Sequence, residues 1–72
     1  MLFGVLVRLL ADRDAAEELT QATFVRAYTK LDTYRGEARF STWLVQIGVH
    51  LVRDRRRRRQ RRTMVVSLEE QQ

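Results

Sequence analysis

No proline occurs in this chain, and glycine stands only at positions 4, 36 and 48. These two residue types interrupt helices most readily, proline by lacking an N–H and fixing φ, glycine by its backbone entropy. With so few breakers, any segment whose apolar residues recur at three and four positions reads as helix. Asp32 to Arg39 is polar, glycine-containing and long enough to separate two such segments, and a tighter break falls at Asp12-Arg13. The expected fold class is therefore all-α, a three-helix bundle with a long basic C-terminal helix. Seventy-two residues supply one small domain with a modest core. We place that domain at 1–62. Residues 63–72 lose periodicity, end in polar side chains and read as a linker or frayed tail.

The first helix is predicted over Leu2–Ala11, with Leu2, Val5, Leu6, Leu9 and Leu10 on one apolar face. Phe3 and Val7 widen that face beyond what so short a chain covers easily. Marginal stability or self-association is expected. Asp12-Arg13 is a tight break, and Asp14 is the expected N-cap of the second helix, with Glu17 completing a capping box. This helix runs to Lys30 or Leu31. Its inward stripe is Ala16, Leu19 or Thr20, Thr23, Ala27 and Leu31, widened by Phe24 and Tyr28. Glu17, Glu18 and Gln21 share a polar side. Ser41 is the expected N-cap of the third helix, with Phe40 and Val45 placed for a hydrophobic staple. Leu44, Ile47, Gly48 and Leu51 face inward, Gly48 allowing close approach of another helix. Gln46, His50, Arg53, Asp54 and Arg57 form an outward stripe.

Charge is distributed unevenly along these elements. Residues 1–32 carry −1, residues 33–62 carry +8 and residues 63–72 carry −2, giving the net +5. One block thus holds the affinity for a polyanion. Within it, Tyr34, Phe40 and Trp43 lie beside Arg35, Arg39 and the arginine run at 55–59, 61 and 62. Cations collect phosphates, and flat side chains receive unstacked bases. Gly36, backbone amides and flanking aromatics can form a pocket for a flipped base, with Arg35 and Arg39 on adjacent phosphates. Gln46, His50 and Arg53 can present donors to base edges. Arg53, Arg55 and Arg57 suit defined phosphate contacts, whereas Arg58 to Arg62 read as a solvated helix end with nonspecific polyanion affinity. By size and hydrophobicity Phe40 is assigned to the core. Trp43 stands open between core and base platform, and His50 between surface residue and base reader.

Several classes of chemistry are set aside. There is no cysteine, so disulfides and thiolate metal sites are excluded, and His50 is the only histidine. No metal or cofactor is expected. Glu37 sits among arginines and Asp54 is flanked by them, so Asp54 suits local ion pairs with Arg57 or Arg58 and no acid–base pair emerges. An enzyme is not expected. Met1 to Ala11 is too short to span a bilayer and has no signal-peptide pattern, so no membrane insertion and a cytoplasmic location are expected.

Two motifs carry a family resemblance. The first is Glu18-Leu19-Thr20-Gln21-Ala22-Thr23-Phe24. The second is Tyr34-Arg35-Gly36-Glu37 followed by Phe40-Ser41-Thr42-Trp43-Leu44. In this order and at this separation they resemble region 2 of bacterial extracytoplasmic-function sigma factors, the promoter-recognition subunits of RNA polymerase. The likeness covers nearly the whole chain, and Val66-Ser67-Leu68-Glu69-Glu70 resembles the start of the family's interdomain linker. It implies that Glu17, Glu18 and Gln21 dock on the clamp coiled coil of the polymerase largest subunit. It further implies that the loop Tyr34, Arg35, Gly36, Glu37, Arg39 and Phe40 captures a base of the non-template strand of the promoter −10 element. Trp43, Gln46, His50, Arg53, Arg55 and Arg57 complete the implied DNA surface. The chain departs from the family pattern at Ala22, where an acidic residue is usual, and at His50, where Asn is common. Relative to that pattern it is expected to be shortened at its N-terminus and to lack region 4. A second hypothesis is an interaction module that binds an anti-sigma-like protein or polyanions without opening promoters. A third, an arginine-rich RNA-binding peptide, explains the charge run but not the Phe-Ser-Thr-Trp segment.

Overall fold

The structure, a computed structural model, describes the backbone of residues 1–70 and the side chains of residues 1–62. Three helices appear in chain order: α1 at Leu2–Leu10, α2 at Arg13–Thr29 and α3 at Phe40–Glu70. A single 3-10 turn, Leu31–Thr33, follows α2. Each helix packs on the other two. The expected linker or tail at 63–72 lies outside the residues whose side chains are described, while the α3 backbone continues to Glu70.

The α1–α2 corner turns on one strained residue. Ala11 takes a left-handed conformation, φ 51 and ψ 32, and its N–H donates to the Val7 carbonyl at 2.8 Å. This is the usual way to end a helix, except that glycine normally occupies the position. The turn leaves Asp12 extended at φ −150 and ψ 113, where its carboxylate accepts from the Ala15 N–H at 3.2 Å. Asp12, not Asp14, is therefore the N-cap of α2. The position three residues on is Ala15, so no capping box forms. Asp14 falls inside the first turn, where a negative charge suits the helix dipole.

Leu2 and Leu6 of α1, Ala16 of α2 and Val52 of α3 form the buried centre. Phe3, Val7, Leu10, Leu19, Leu44 and Val45 pack around it partly buried, so most of the broad α1 face is covered. At Gly48 all three helices come close together. A Cβ placed there would lie 3.0 Å from Leu2 Cδ1, 3.3 Å from Thr23 Oγ1 and 3.4 Å from Leu6 Cδ2. Thr23 is fully buried, and its hydroxyl donates to the Leu19 carbonyl at 2.6 Å, satisfying it within its own helix.

The inward face of α2 differs from expectation. Ala15, Ala16, Thr23 and Ala27 are buried, whereas Phe24, Tyr28 and Leu31 are exposed by 54%, 82% and 50%. Small side chains let α2 sit close to α1 and α3; Leu19 packs at the edge of the core, and Phe24 and Tyr28 are left exposed. The start of α3 differs too. The Arg39 carbonyl accepts from the Trp43 N–H at 3.0 Å, so Phe40 is already helical and Ser41 lies within the first turn rather than capping it. Phe40 then occupies no staple position. It is 43% exposed and is not a core residue.

Candidate nucleic-acid interface and docking face

The loop between the 3-10 turn and α3 is shaped by three local features. Gly36 has φ 78, a backbone setting that side chains disfavour. The Tyr34 hydroxyl donates to the Ala38 carbonyl, closing the loop on itself. The Tyr34 ring sits 5.6 Å from that of Phe40, edge to face, and 5.0 Å from that of Trp43, while Phe40 and Trp43 are also 5.6 Å apart. These spacings suit mutually supporting aromatic pairs. The aromatic residues thus form one cluster at the foot of the loop, which holds Trp43 half-buried at the start of α3.

Beside this cluster lies a concavity of about 310 Å³ lined by Thr33, Tyr34, Arg35, Glu37, Ala38, Trp43 and Gln46. It combines flat ring surface with a guanidinium, a carboxylate and an amide, the set of groups that can stack on a base and bond its edge. Five expected site residues, Tyr34, Arg35, Glu37, Trp43 and Gln46, line it. Gly36 shapes the loop, Phe40 supports the rings from outside, and Arg39 is exposed just before α3.

Gln46 also begins the outward stripe of α3. Gln46, His50, Arg53, Asp54 and Arg57 are all exposed, so one face leads from the concavity into the arginine run. Arg55 does not belong to that face. It is half-buried on the inward side of α3, above Leu44, Gly48 and Leu51. Arg56, which sequence reasoning did not single out, donates from its terminal nitrogen to the Leu9 carbonyl at 2.7 Å. It satisfies a carbonyl left open at the end of α1 and places positive charge at that helix's negative end.

A second face lies on α2. Glu17, Gln21, Phe24 and Tyr28 follow one another at helical spacing and are all exposed, with Glu18 and Val25 alongside. An open groove of about 370 Å³ between α1 and α2, lined by Phe3, Arg13, Glu17, Thr20 and Gln21, borders this stripe. Acidic at its N-terminal end and apolar toward its C-terminal end, the stripe has the mixed character of a protein-docking surface. Phe24, Val25 and Tyr28 are the members that sequence reasoning missed. Among the described residues, no helix is long and apolar enough to cross a membrane.

Several curated proteins are similar to this chain. The chain is 33% identical over 53 residues to the RNA polymerase sigma-H factor of Pseudomonas aeruginosa, covering 74% of this chain and 28% of that protein. It is 34% identical over 58 residues to the ECF RNA polymerase sigma factor SigW of Bacillus subtilis, covering 81% of this chain and 31% of that one. It is 33% identical over 51 residues to the ECF RNA polymerase sigma-E factor of Haemophilus influenzae, covering 71% and 26% respectively. The chain spans roughly a third or less of each relative's length. No solved structure matches it at the level these relatives do. Residues 1–62, which hold the whole bundle, the aromatic loop and the arginine run, match Sigma-70 region 2, and the chain belongs to that family.

Proposed function

We propose that this chain acts as region 2 of an RNA polymerase sigma factor. It docks on the clamp coiled coil of the polymerase largest subunit and holds the opened non-template strand of a promoter −10 element. The observation that carries this reading is the loop concavity, where Tyr34, Trp43, Arg35, Glu37 and Gln46 meet beside a basic helix in a member of this family. Unstacking a base costs a few kcal/mol, so the receiving site has to return that energy. Stacking on an aromatic side chain returns about 1–3 kcal/mol per base. Bonds to the base edge and phosphate contacts from Arg35, Arg39, Arg53 and Arg57 supply the remainder. The loop is closed in advance by the Tyr34–Ala38 bond and the ring cluster, so less order has to be imposed when the strand arrives. Binding alone shifts duplex DNA toward the open form, without hydrolysis of a nucleotide.

Docking uses the α2 stripe. Glu17, Glu18 and Gln21 supply its polar portion, and Phe24 and Tyr28 extend it with buriable area. The test is titration of the chain with the isolated clamp coiled coil, together with Gln21→Ala, Glu18→Arg and Tyr28→Ala. Saturable binding weakened by each substitution is the expected result. Absence of binding by a chain shown to be folded would overturn the docking assignment. Trp43→Ala is expected to lose about 5- to 150-fold in affinity for single-stranded −10-like oligonucleotides, the equivalent of one stacked base. An equal loss on scrambled sequence would show that Trp43 binds strand without selecting it.

A further inference from the structure

Two outward stripes of this bundle match one another in opposite sequence order. On α2, Asp14, Glu18, Gln21, Val25 and Tyr28 recur at four and three positions, and all are exposed. On α3, Trp43, Gln46, His50, Arg53 and Arg57 recur at three and four positions, all exposed except the half-buried Trp43. This alternating spacing is that of a seam along which two helices pack side by side. The α2 stripe passes from carboxylates through an amide to Val25 and Tyr28. The α3 stripe passes from an indole through an amide and an imidazole to two guanidiniums. Read backwards, each is the complement of the other. The two stripes of one copy cannot meet, because they lie on the sides of α2 and α3 turned away from the core these helices share.

We infer that this chain associates with a second copy of itself, α2 of one copy lying antiparallel along α3 of the next. That pairing sets Asp14 opposite Arg57, Glu18 opposite Arg53, Gln21 opposite His50, Val25 opposite Gln46 and Tyr28 opposite Trp43. Opposite charges meet at one end of the seam and aromatic rings at the other. Parallel pairing would set Asp14 against Trp43 and Tyr28 against Arg57. Pairing α3 with α3 would bring two cationic stripes together, and pairing α2 with α2 would leave the carboxylates without a cation opposite. From Asp14 to Tyr28 the seam is about 21 Å long. Its apolar members are Val25, Tyr28 and Trp43 alone, and exposed ion pairs contribute little each, so the contact is weak and sensitive to salt. Each copy carries one stripe of each kind, so association runs head to tail from copy to copy. It covers Glu18 and Gln21 together with Gln46, His50 and Arg53, the residues assigned above to docking and strand binding. If those assignments hold, self-association withholds the chain from both partners; the pairing itself does not depend on them.

Sedimentation of the chain across concentrations reaching the millimolar range, at low and at high salt, tests the pairing. The average mass is expected to rise with concentration at low salt and to stay near that of a monomer at high salt. Glu18→Arg and Arg53→Glu are each expected to weaken association about tenfold, because an ion pair becomes a like-charge contact. The decisive comparison uses two double variants, each with the net charge of the parent chain. Glu18→Arg/Arg53→Glu restores the pair in reversed order and is expected to associate as the parent does. Glu18→Arg/Arg57→Glu sets like charges opposite one another at both positions and is expected to remain monomeric. A monomer at every concentration, association indifferent to both single reversals, or equal behaviour of the two double variants would overturn the inference. Unaltered helical circular dichroism of all four variants separates these outcomes from misfolding. Neither polymerase nor DNA enters the assay, so a negative result leaves docking and strand capture standing.

Discussion

Adding one methyl group at position 48 should weaken this fold, although the same change usually strengthens a helix. In a helix interior, alanine is favoured over glycine by about 1 kcal/mol. Against that stands crowding at the point where three helices meet. The new Cβ would lie 3.0 Å from Leu2 Cδ1, 3.3 Å from Thr23 Oγ1 and 3.4 Å from Leu6 Cδ2. Leu2 can give way, because its contact is the end of a flexible side chain in the first turn of α1. Thr23 is held by its bond to the Leu19 carbonyl, and Leu6 is fully buried, so neither yields freely. Overpacking of this kind costs about 1–3 kcal/mol. Gly48→Ala should therefore lose about 1 kcal/mol net. Gly4 is the internal control, since it is helical and exposed with nothing within 4 Å of the added atom. Gly4→Ala should gain most of the favourable 1 kcal/mol or so. The two variants, identical in chemistry, should thus differ by about 2 kcal/mol, or roughly 8–16 °C in Tm for a domain of this size. Urea unfolding followed by helical circular dichroism measures the difference, provided the denaturant slope is unchanged. Equal stabilisation by both substitutions would show that the helices do not meet closely at Gly48, and the packing described for the bundle would be wrong.

Other substitutions test the corner, the loop and the α1–α3 link. Ala11→Gly relieves a left-handed residue worth about 1–2 kcal/mol of strain while adding unfolded-state entropy, so a gain of about 0.5–1 kcal/mol is expected in the same unfolding assay. Gly36→Ala should cost about 1 kcal/mol and weaken binding to single-stranded oligonucleotides, because φ 78 is lost. Gly36→Asn should fall between it and the parent chain, since Asn tolerates that region. Arg56→Met keeps most of the aliphatic stem and removes the bond to the Leu9 carbonyl. It should lower stability by about 0.5–1.5 kcal/mol and shift the amide resonances of Leu9 to Ala11 in an NMR spectrum, whereas Arg61→Met should do neither.

The sequence made α1 and the two faces of α3 legible because apolar and charged residues there repeat at helical spacing, and burial follows the repeat except at Leu9, which is exposed, and Arg55, which is half-buried. It misled on α2. Leu19 packs on the core as hydrophobicity suggests, but the same reading also assigns Phe24, Tyr28 and Leu31 to the core. Close packing reversed the choice. Opposite Gly48 and Leu6 there is room for Thr23, and Ala16 and Ala27 are buried on the same side, whereas an aromatic ring would hold the helices apart. The cap of α2 was missed for a different reason. Asp12 and Asp14 are both competent caps, and the choice depended on Ala11 turning left-handed, which an alanine does not announce. The aromatic loop was legible as a group of residues, but its enclosure was not. It depends on the Tyr34–Ala38 bond and on Phe40 lying inside the helix, where its ring meets both Tyr34 and Trp43.

The arginine run, which in sequence looks uniform, divides in the same way. Helical position assigns Arg55 to the inward side, where it is half-buried, and Arg56 to the edge of α1, where it bonds the Leu9 carbonyl. Both serve the bundle. Further along, Arg57, Arg58, Arg61 and Arg62 are exposed. What separates the two groups is where α1 ends. Since α1 is only nine residues long and closes at Ala11, it sets the point at which α3 stops being a core helix and becomes an exposed basic one. The length of the shortest helix thus fixes the reach of the basic segment, a relation between distant regions of the chain that no local pattern in the arginines encodes.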